Sequence, residues 1–134
     1  MKQCHLSLKI THWVSFELAL EPNCEFWYDT HDPLAVTLVF DTYGKRPAHW
    51  VFSRDLLAEG MTARAGEGDV VLWPLYDLDD EPCSFSVRVG GARTALFEIP
   101  TGPVAQWLDA TYAMVPRGAE LDGFDWNELL QPAE

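Results

Sequence analysis

Basic residues are the scarcest group in this 134-residue chain: nine Lys and Arg stand against 21 Asp and Glu, a formal charge of −12. The imbalance deepens along the chain, from −3 over residues 1–60 to −9 over residues 61–134. Phosphate backbones and anionic lipid are bound through clustered Lys and Arg, so nucleic acid and charged membrane surfaces are disfavoured as partners. Long apolar runs are missing too. The longest stretch without a charged residue, Ile99 to Leu108, is half of the roughly 20 residues a bilayer crossing needs. No apolar h-region follows Lys2, so a secretory signal is not expected and a soluble, cytosolic protein is. The three cysteines, Cys4, Cys24 and Cys83, are odd in number and lack CxxC spacing, which favours reduced thiols over a disulfide or zinc framework. Gly and Pro together make only 18 residues while apolar types make 48%, which excludes disorder and low complexity. One domain over residues 1–134 is expected.

The patterning that is present reads as strands first and helices last. From Leu6 to Leu20 the even positions are apolar except for His12, a period-two pattern over fifteen residues. An unbroken strand of that length would run about 50 Å, against a radius of gyration of about 14 Å for a compact chain of this size. It must therefore bend, break or leave the body. A short strand is expected at Phe26–Tyr28, then a turn at residues 29–33. Leu34–Phe40 is apolar on both faces and predicts a central strand covered on both sides. After a turn at residues 43–45, Ala48–Phe52 predicts the returning strand, and Ser53 the N-cap of a two-turn helix ending at Gly60, stapled by Phe52 and Leu57. Gly66 and Gly68 suggest a loop, Asp69–Trp73 a strand closed by Pro74, and Asp77–Glu81 an acidic loop. Cys83, Phe85, Val87 and Val89 alternate with Ser84, Ser86 and Arg88, and Gly90-Gly91 predicts a two-residue hairpin turn into Ala92–Ile99. Val104, Trp107, Leu108, Thr111, Tyr112 and Val115 recur at helical spacing after Thr101-Gly102-Pro103. A last helix is expected from near Asp125, with Phe124 and Leu129 as staple and Glu128 in the capping box. The class is α+β: a curved, mostly antiparallel sheet with one short and two C-terminal helices.

Few constellations suggest chemistry. Asp29, His31 and Asp32 offer three potential metal ligands, but Asx-type turns before Pro33 explain them, and a catalytic metal draws ligands from several elements. Ser53 lacks a nucleophile elbow and fits a cap. Gly66-Glu67-Gly68-Asp69 lacks the third glycine and following helix of a phosphate loop. His12 reads as a core histidine, and Cys83 has no paired base. Of the six tryptophans, Trp50, Trp73 and Trp107 read as core. Trp13, on the polar face of its strand, and Trp126, on the terminal helix, suit a subunit interface. Arg54 could pair with Asp55 or with a partner's carboxylate. No cofactor is indicated.

Three segments, Tyr28-Asp29-x-x-Asp32-Pro33-x-Ala35-Val36, Trp50-Val51-Phe52-x-Arg54-Asp55-Leu56-Leu57-x-x-Gly60 and Gly68-Asp69-Val70-x-x-Trp73-Pro74, jointly resemble the SsgA-like proteins of sporulation-specific cell division, in the family's order and at about its spacing. The resemblance runs from about Cys4 to about Leu130. Leu34 stands where the family usually carries an aromatic residue, and Asp77–Glu81 falls in a variable loop. What the resemblance implies is a non-enzymatic cytoplasmic protein at the division septum. The SsgB-type member would recruit the tubulin-like FtsZ, and others would act on septa with further division or SsgA-like proteins. It also implies a bell-shaped homotrimer similar to whirly-type single-strand nucleic-acid binders. A nucleic-acid-binding module on that fold is the alternative function. On the motif positions, Arg54 and Asp55, with the loop Arg117, Gly118 and Glu120, are expected to be exposed and to bind the protein partner.

Overall fold

The computed structural model describes residues 2–41, 46–91 and 94–122. In chain order its elements are β1 (Gln3–Lys9), β2 (Thr11–Trp13), β3 (Ala19–Leu20), β4 (Asn23–Asp29), β5 (Ala35–Phe40), β6 (Ala48–Ser53), α1 (Arg54–Gly60), β7 (Ala65–Glu67), β8 (Val70–Tyr76), β9 (Pro82–Val89), β10 (Ala95–Pro100) and α2 (Thr101–Met114). Every strand pairing is antiparallel. The α+β class holds, but the expected single sheet is two: one ordered β1-β4-β5-β6, the other β3-β2-β10-β9-β8-β7.

The division falls inside the long alternating N-terminal segment. Ile10 is buried and its N–H donates to the Pro22 carbonyl at 3.0 Å, which turns the chain from β1 in the first sheet to β2 in the second. After Trp13 the chain leaves the sheet. Val14 N–H donates to the Leu18 carbonyl at 2.9 Å, and Ser15 Oγ accepts from the Glu17 and Leu18 amides. Alternation continues in sequence without a sheet beneath it, so Val14, Phe16 and Leu18 are exposed rather than core.

Alternation does place the inner faces. Phe26 and Tyr28 of β4, Leu38 and Phe40 of β5, and Phe97 of β10 are buried. Phe40 stacks on Phe97 at 4.3 Å and joins the two sheets. Helix α2 buries Val104, Trp107, Leu108 and Thr111, with Tyr112 and Val115 half-buried at the end of the stripe. Trp107 meets Phe26 edge-on at 5.5 Å. Burying aromatic rings of this size supplies much of the hydrophobic stabilisation.

Four local expectations change. Strand β5 is covered on one face only: Val36, Leu38 and Phe40 are buried, while Thr37 and Val39 are half-buried. On the outer face of this sheet His5 stacks on Trp27 at 4.0 Å. Gly66 lies in β7, and the short Gly68-Asp69 turn, with Gly68 at φ 59°, leads into β8. Pro74 sits within β8 because β7 pairs only with Val70–Leu72, leaving a one-sided edge at Pro74 where a missing N–H is tolerated. The β9–β10 connection spans residues 90–94, since Ala95 pairs with Val89 and Gly90 N–H is drawn instead to the Asp69 carbonyl at 3.1 Å. Helix α1 ends at Gly60 as expected, and packing also requires glycine there, because a Cβ would run into the Leu72 side chain. The expected turn at residues 43–45 and the last helix, with Trp126, lie outside the described residues.

Candidate interaction surface

Ser53 caps α1 by accepting from the Leu56 amide at 2.9 Å, which places Arg54 at the first helical position. The expectation that Arg54 is exposed is corrected: it is 1% exposed. Nη1 donates to the Thr111 carbonyl at 3.2 Å and to Thr111 Oγ1 at 3.4 Å, and Nη2 donates to Glu120 Oε1 at 3.1 Å. The guanidinium carbon lies 4.8 Å from the Tyr28 ring centroid and 4.5 Å from that of Tyr112. The Thr111 carbonyl already accepts from the Val115 amide at 2.9 Å, and its second lone pair, near the negative end of the helix dipole, makes the C-terminus of α2 a natural receptor for this cation. A buried guanidinium demands a paired carboxylate and several acceptors; Thr111 and Glu120 provide them to Nη1 and Nη2, while the buried Nε has no hydrogen-bond partner among the described residues. The Glu120 carboxyl is held below its ordinary range by its own backbone N–H and by Arg54. Burial raises the Tyr28 and Tyr112 phenols, against the pull of the same arginine.

A second ion pair lies outside the first. Asp55 and Arg117 approach to 3.4 Å, each about half exposed. The loop between is a tight turn in which the Ala119 amide donates to the Pro116 carbonyl at 2.9 Å and Gly118 adopts φ 88°. Arg54, Asp55, Arg117, Gly118 and Glu120 therefore converge despite their separation in sequence, but at two depths. Arg54 and Glu120 form the inner strut, while Asp55, Arg117 and Gly118 face solvent. Sequence reasoning missed Tyr28, Thr111 and Tyr112 as the cation's seat. The helical stripe of α2 was the available sign, and nothing in it identified the arginine.

The second surface is an apolar groove of about 700 Å³ on the outer face of the second sheet. Its cause is local: β9 presents Ser84 and Ser86 outward between bulkier flanks, Trp73 and Leu75 on β8 and Leu96 and Glu98 on β10. Trp13 and Phe16 stand at one wall. Trp13, the expected interface residue, is 39% exposed, and Phe16, one of the apolar positions of the alternating segment, is fully exposed.

Asp29 closes the expected Asx turn, accepting from the His31 amide at 2.8 Å and from Gln3 Nε2 at 3.2 Å, and these bonds hold its carboxyl below the ordinary range. No group of three metal-ligating side chains converges among the described residues. His12 is half-buried and stacks on Phe97 at 4.6 Å. All three cysteines are free thiols, and burial drives the Cys24 thiol upward. Among the described residues no helix is long and apolar enough to cross a membrane.

Residues 23–120 match the family described as Streptomyces sporulation and cell division protein, SsgA. The chain is 36% identical over 127 residues to the sporulation-specific cell division protein SsgB of Streptomyces coelicolor, covering 95% of this chain and 90% of the relative. It is 37% identical over 126 residues to SsgB of Saccharopolyspora erythraea, covering 90% and 86%. A structure associated with SsgB mutations that correlate to longitudinal cell division during sporulation of S. coelicolor superposes with a TM-score of 0.80 at 34% identity, covering 89% of this chain and 94% of the other. The crystal structure of an SsgA-like sporulation-specific cell division protein from Thermobifida fusca gives 0.85 at 26% identity, covering 96% and 93%. Sequence along most of the chain and the sheet arrangement thus agree, and the chain belongs to the SsgA family of sporulation and cell division proteins.

Proposed function

We propose that this single SsgA-like domain acts by docking rather than by bond-making, as a whirly-like, bell-shaped homotrimer in the cytoplasm that helps position or recruit FtsZ at the septum, alongside other division or SsgA-like proteins. The observation that carries the reading is the double strap of residues 115–122 onto α1. The buried Arg54–Glu120 pair holds the loop in place, and the Asp55–Arg117 pair with Gly118 offers a fixed polar surface to a partner. Three copies of that surface on a closed trimer would turn a weak contact into avidity for a polymer. The nucleic-acid alternative has the chain's charge of −12 against it.

Charge reversal at Arg54 would disrupt the core, so the test belongs at the outer pair. Exchanging the partners as Asp55→Arg with Arg117→Asp keeps an ion pair and inverts the surface. Wild-type protein is expected to pellet with FtsZ polymers, and the exchanged variant to remain in the supernatant with an unchanged unfolding midpoint. Equal pelleting of both would remove this patch as the docking surface.

A further inference from the structure

The motif Tyr28-Asp29-x-x-Asp32-Pro33 borders a cavity that the Asp55–Arg117 patch does not use. The cavity holds about 240 Å³ on the outer face of the first sheet, between Gln3, Trp27, Asp29, Asp32, Ala35 and Thr37. Its cause is a step in side-chain size. Thr37 stands directly across from Trp27, and Ala35 lies two residues away on the same face of β5, so the indole rises beside short neighbours. His5 of β1 stacks on that indole at 4.0 Å. The turn after β4 brings two carboxylates to the rim. Asp29 is anchored by the His31 amide at 2.8 Å and by Gln3 Nε2 at 3.2 Å. The Asp32 N–H donates to the Asp29 carbonyl at 2.9 Å, while its carboxylate makes no hydrogen bond or ion pair among the described residues. We infer that this cavity is a socket for one arginine side chain on a basic segment of a partner protein. The inference stands apart from the Asp55–Arg117 patch and does not rest on it.

Size, charge and shape select the occupant. The volume falls short of the roughly 300–1,000 Å³ that takes a drug-sized ligand, and it leaves room for a single side chain. Each Asp29 oxygen already accepts one hydrogen bond, but a carboxylate oxygen has a second lone pair, and Asp32 keeps all of its own. The rim is therefore rich in acceptors, and none of its described residues is basic. A bare metal ion would need more oxygen ligands than these two carboxylates supply, and no group of three ligating side chains converges among the described residues. A guanidinium fits better, because its planar fork of donors can span two carboxylates while its weakly hydrated face lies against an indole. The chain seats its own arginines in this way: Arg54 between Tyr28 and Tyr112 with Glu120 as counter-ion, and Arg64 at 5.3 Å from the Trp73 ring. A net charge of −12 draws basic segments toward the surface. Cation–π and ion-pair contacts at exposed sites are individually weak, so a lone arginine peptide should bind only at millimolar concentration.

The probe is the tripeptide Gly-Arg-Gly with both ends blocked, titrated into the isotope-labelled full chain and followed by amide correlation spectra. Saturable shifts are expected at the Trp27 indole N–H and at the backbone amides of Gln3, Asp29 and Thr37. The same peptide with citrulline, which keeps the shape of arginine without its charge, should give none, and the lysine peptide should bind more weakly than the arginine one. Asp32→Asn and Trp27→Leu should each weaken binding about threefold. Thr37→Arg places a guanidinium in the socket from within and should abolish binding; it replaces Trp27→Leu should circular dichroism show that variant unfolded. Asp79→Asn removes the same charge from the exposed acidic loop and should leave binding unchanged, which separates the socket from general attraction to an anionic chain. Equal binding of the citrulline peptide, no saturable shift at the four named groups, or equal losses in Asp32→Asn and Asp79→Asn would overturn the inference.

Discussion

Replacing Arg54 by alanine leaves the Glu120 carboxylate, its side chain 8% exposed, without its cation, and leaves the Thr111 carbonyl without its charged donor. Breaking a buried pair by removing one partner costs about 3–5 kcal/mol. Loss of the contacts with Tyr28 and Tyr112 adds to this, and Glu120 can recover some hydration by swinging outward from its edge position. The expected loss is about 3 kcal/mol, or about 10 °C in Tm for a domain of this size. The internal control is Arg117→Ala, which breaks an ion pair with both partners about half exposed and should cost about 0.5 kcal/mol or less. Arg54→Lys keeps the charge but not the fork that reaches Thr111 and Glu120 together, so it should fall between the two. Urea unfolding at one protein concentration, with unchanged m and shifted midpoint, reads all three. A cycle with Glu120→Ala isolates the coupling of the pair. An Arg54→Ala loss no larger than that of Arg117→Ala would refute the buried strut.

Acid should weaken the protein in two steps. Burial lowers the His12 pKa from its usual 6.5, so below that pH the unfolded chain takes up a proton the folded one resists, and stability falls as pH drops toward the folded value. Glu120 is depressed below its usual 4.5, so its contribution is complete above that pH and is lost as pH falls through the folded pKa. Urea midpoints measured from pH 7.5 downward should lose the first step in His12→Phe, and a parallel curve would remove His12 as its source. At the glycines, Gly60→Ala drives a Cβ into buried Leu72 and should cost about 1–3 kcal/mol, whereas a Cβ at Gly102 meets nothing within 4 Å. Gly102→Ala should be neutral or stabilise by up to about 1 kcal/mol; equal midpoints for the two variants would contradict the packing described for α1.

Much of the local structure was legible because its causes are local. The stripe on α2 from Val104 to Thr111, the Ser53 cap, the inward alternation of Phe85, Val87 and Val89, and the Asx turn at Asp29 each depend on neighbours within a few residues. Misreadings cluster where the same local pattern meets a non-local decision. Alternation from Leu6 to Leu20 did not reveal that Ile10 would hand the chain from one sheet to another, nor that Phe16 would stand free. Gly90-Gly91 promised a two-residue turn, whereas Val89 pairs with Ala95 and the Gly90 N–H donates to the Asp69 carbonyl beside β8.

The candidate site divides in the same way. The sequence by itself determined the chemical inventory: a strongly anionic chain, few cations, and a polar Arg54-Asp55 pair at a capped helix start, in motifs of a cell-division family. Tertiary structure alone decided which cation is a strut and which is a surface. Arg54 takes Thr111 and Glu120, from α2 and the loop beyond it, as ligands, while Arg117 pairs with Asp55 half in solvent. The reason is physical: side-chain periodicity is set by backbone geometry within a segment, whereas burial of a charge depends on whether distant elements bring it a counter-ion and acceptors.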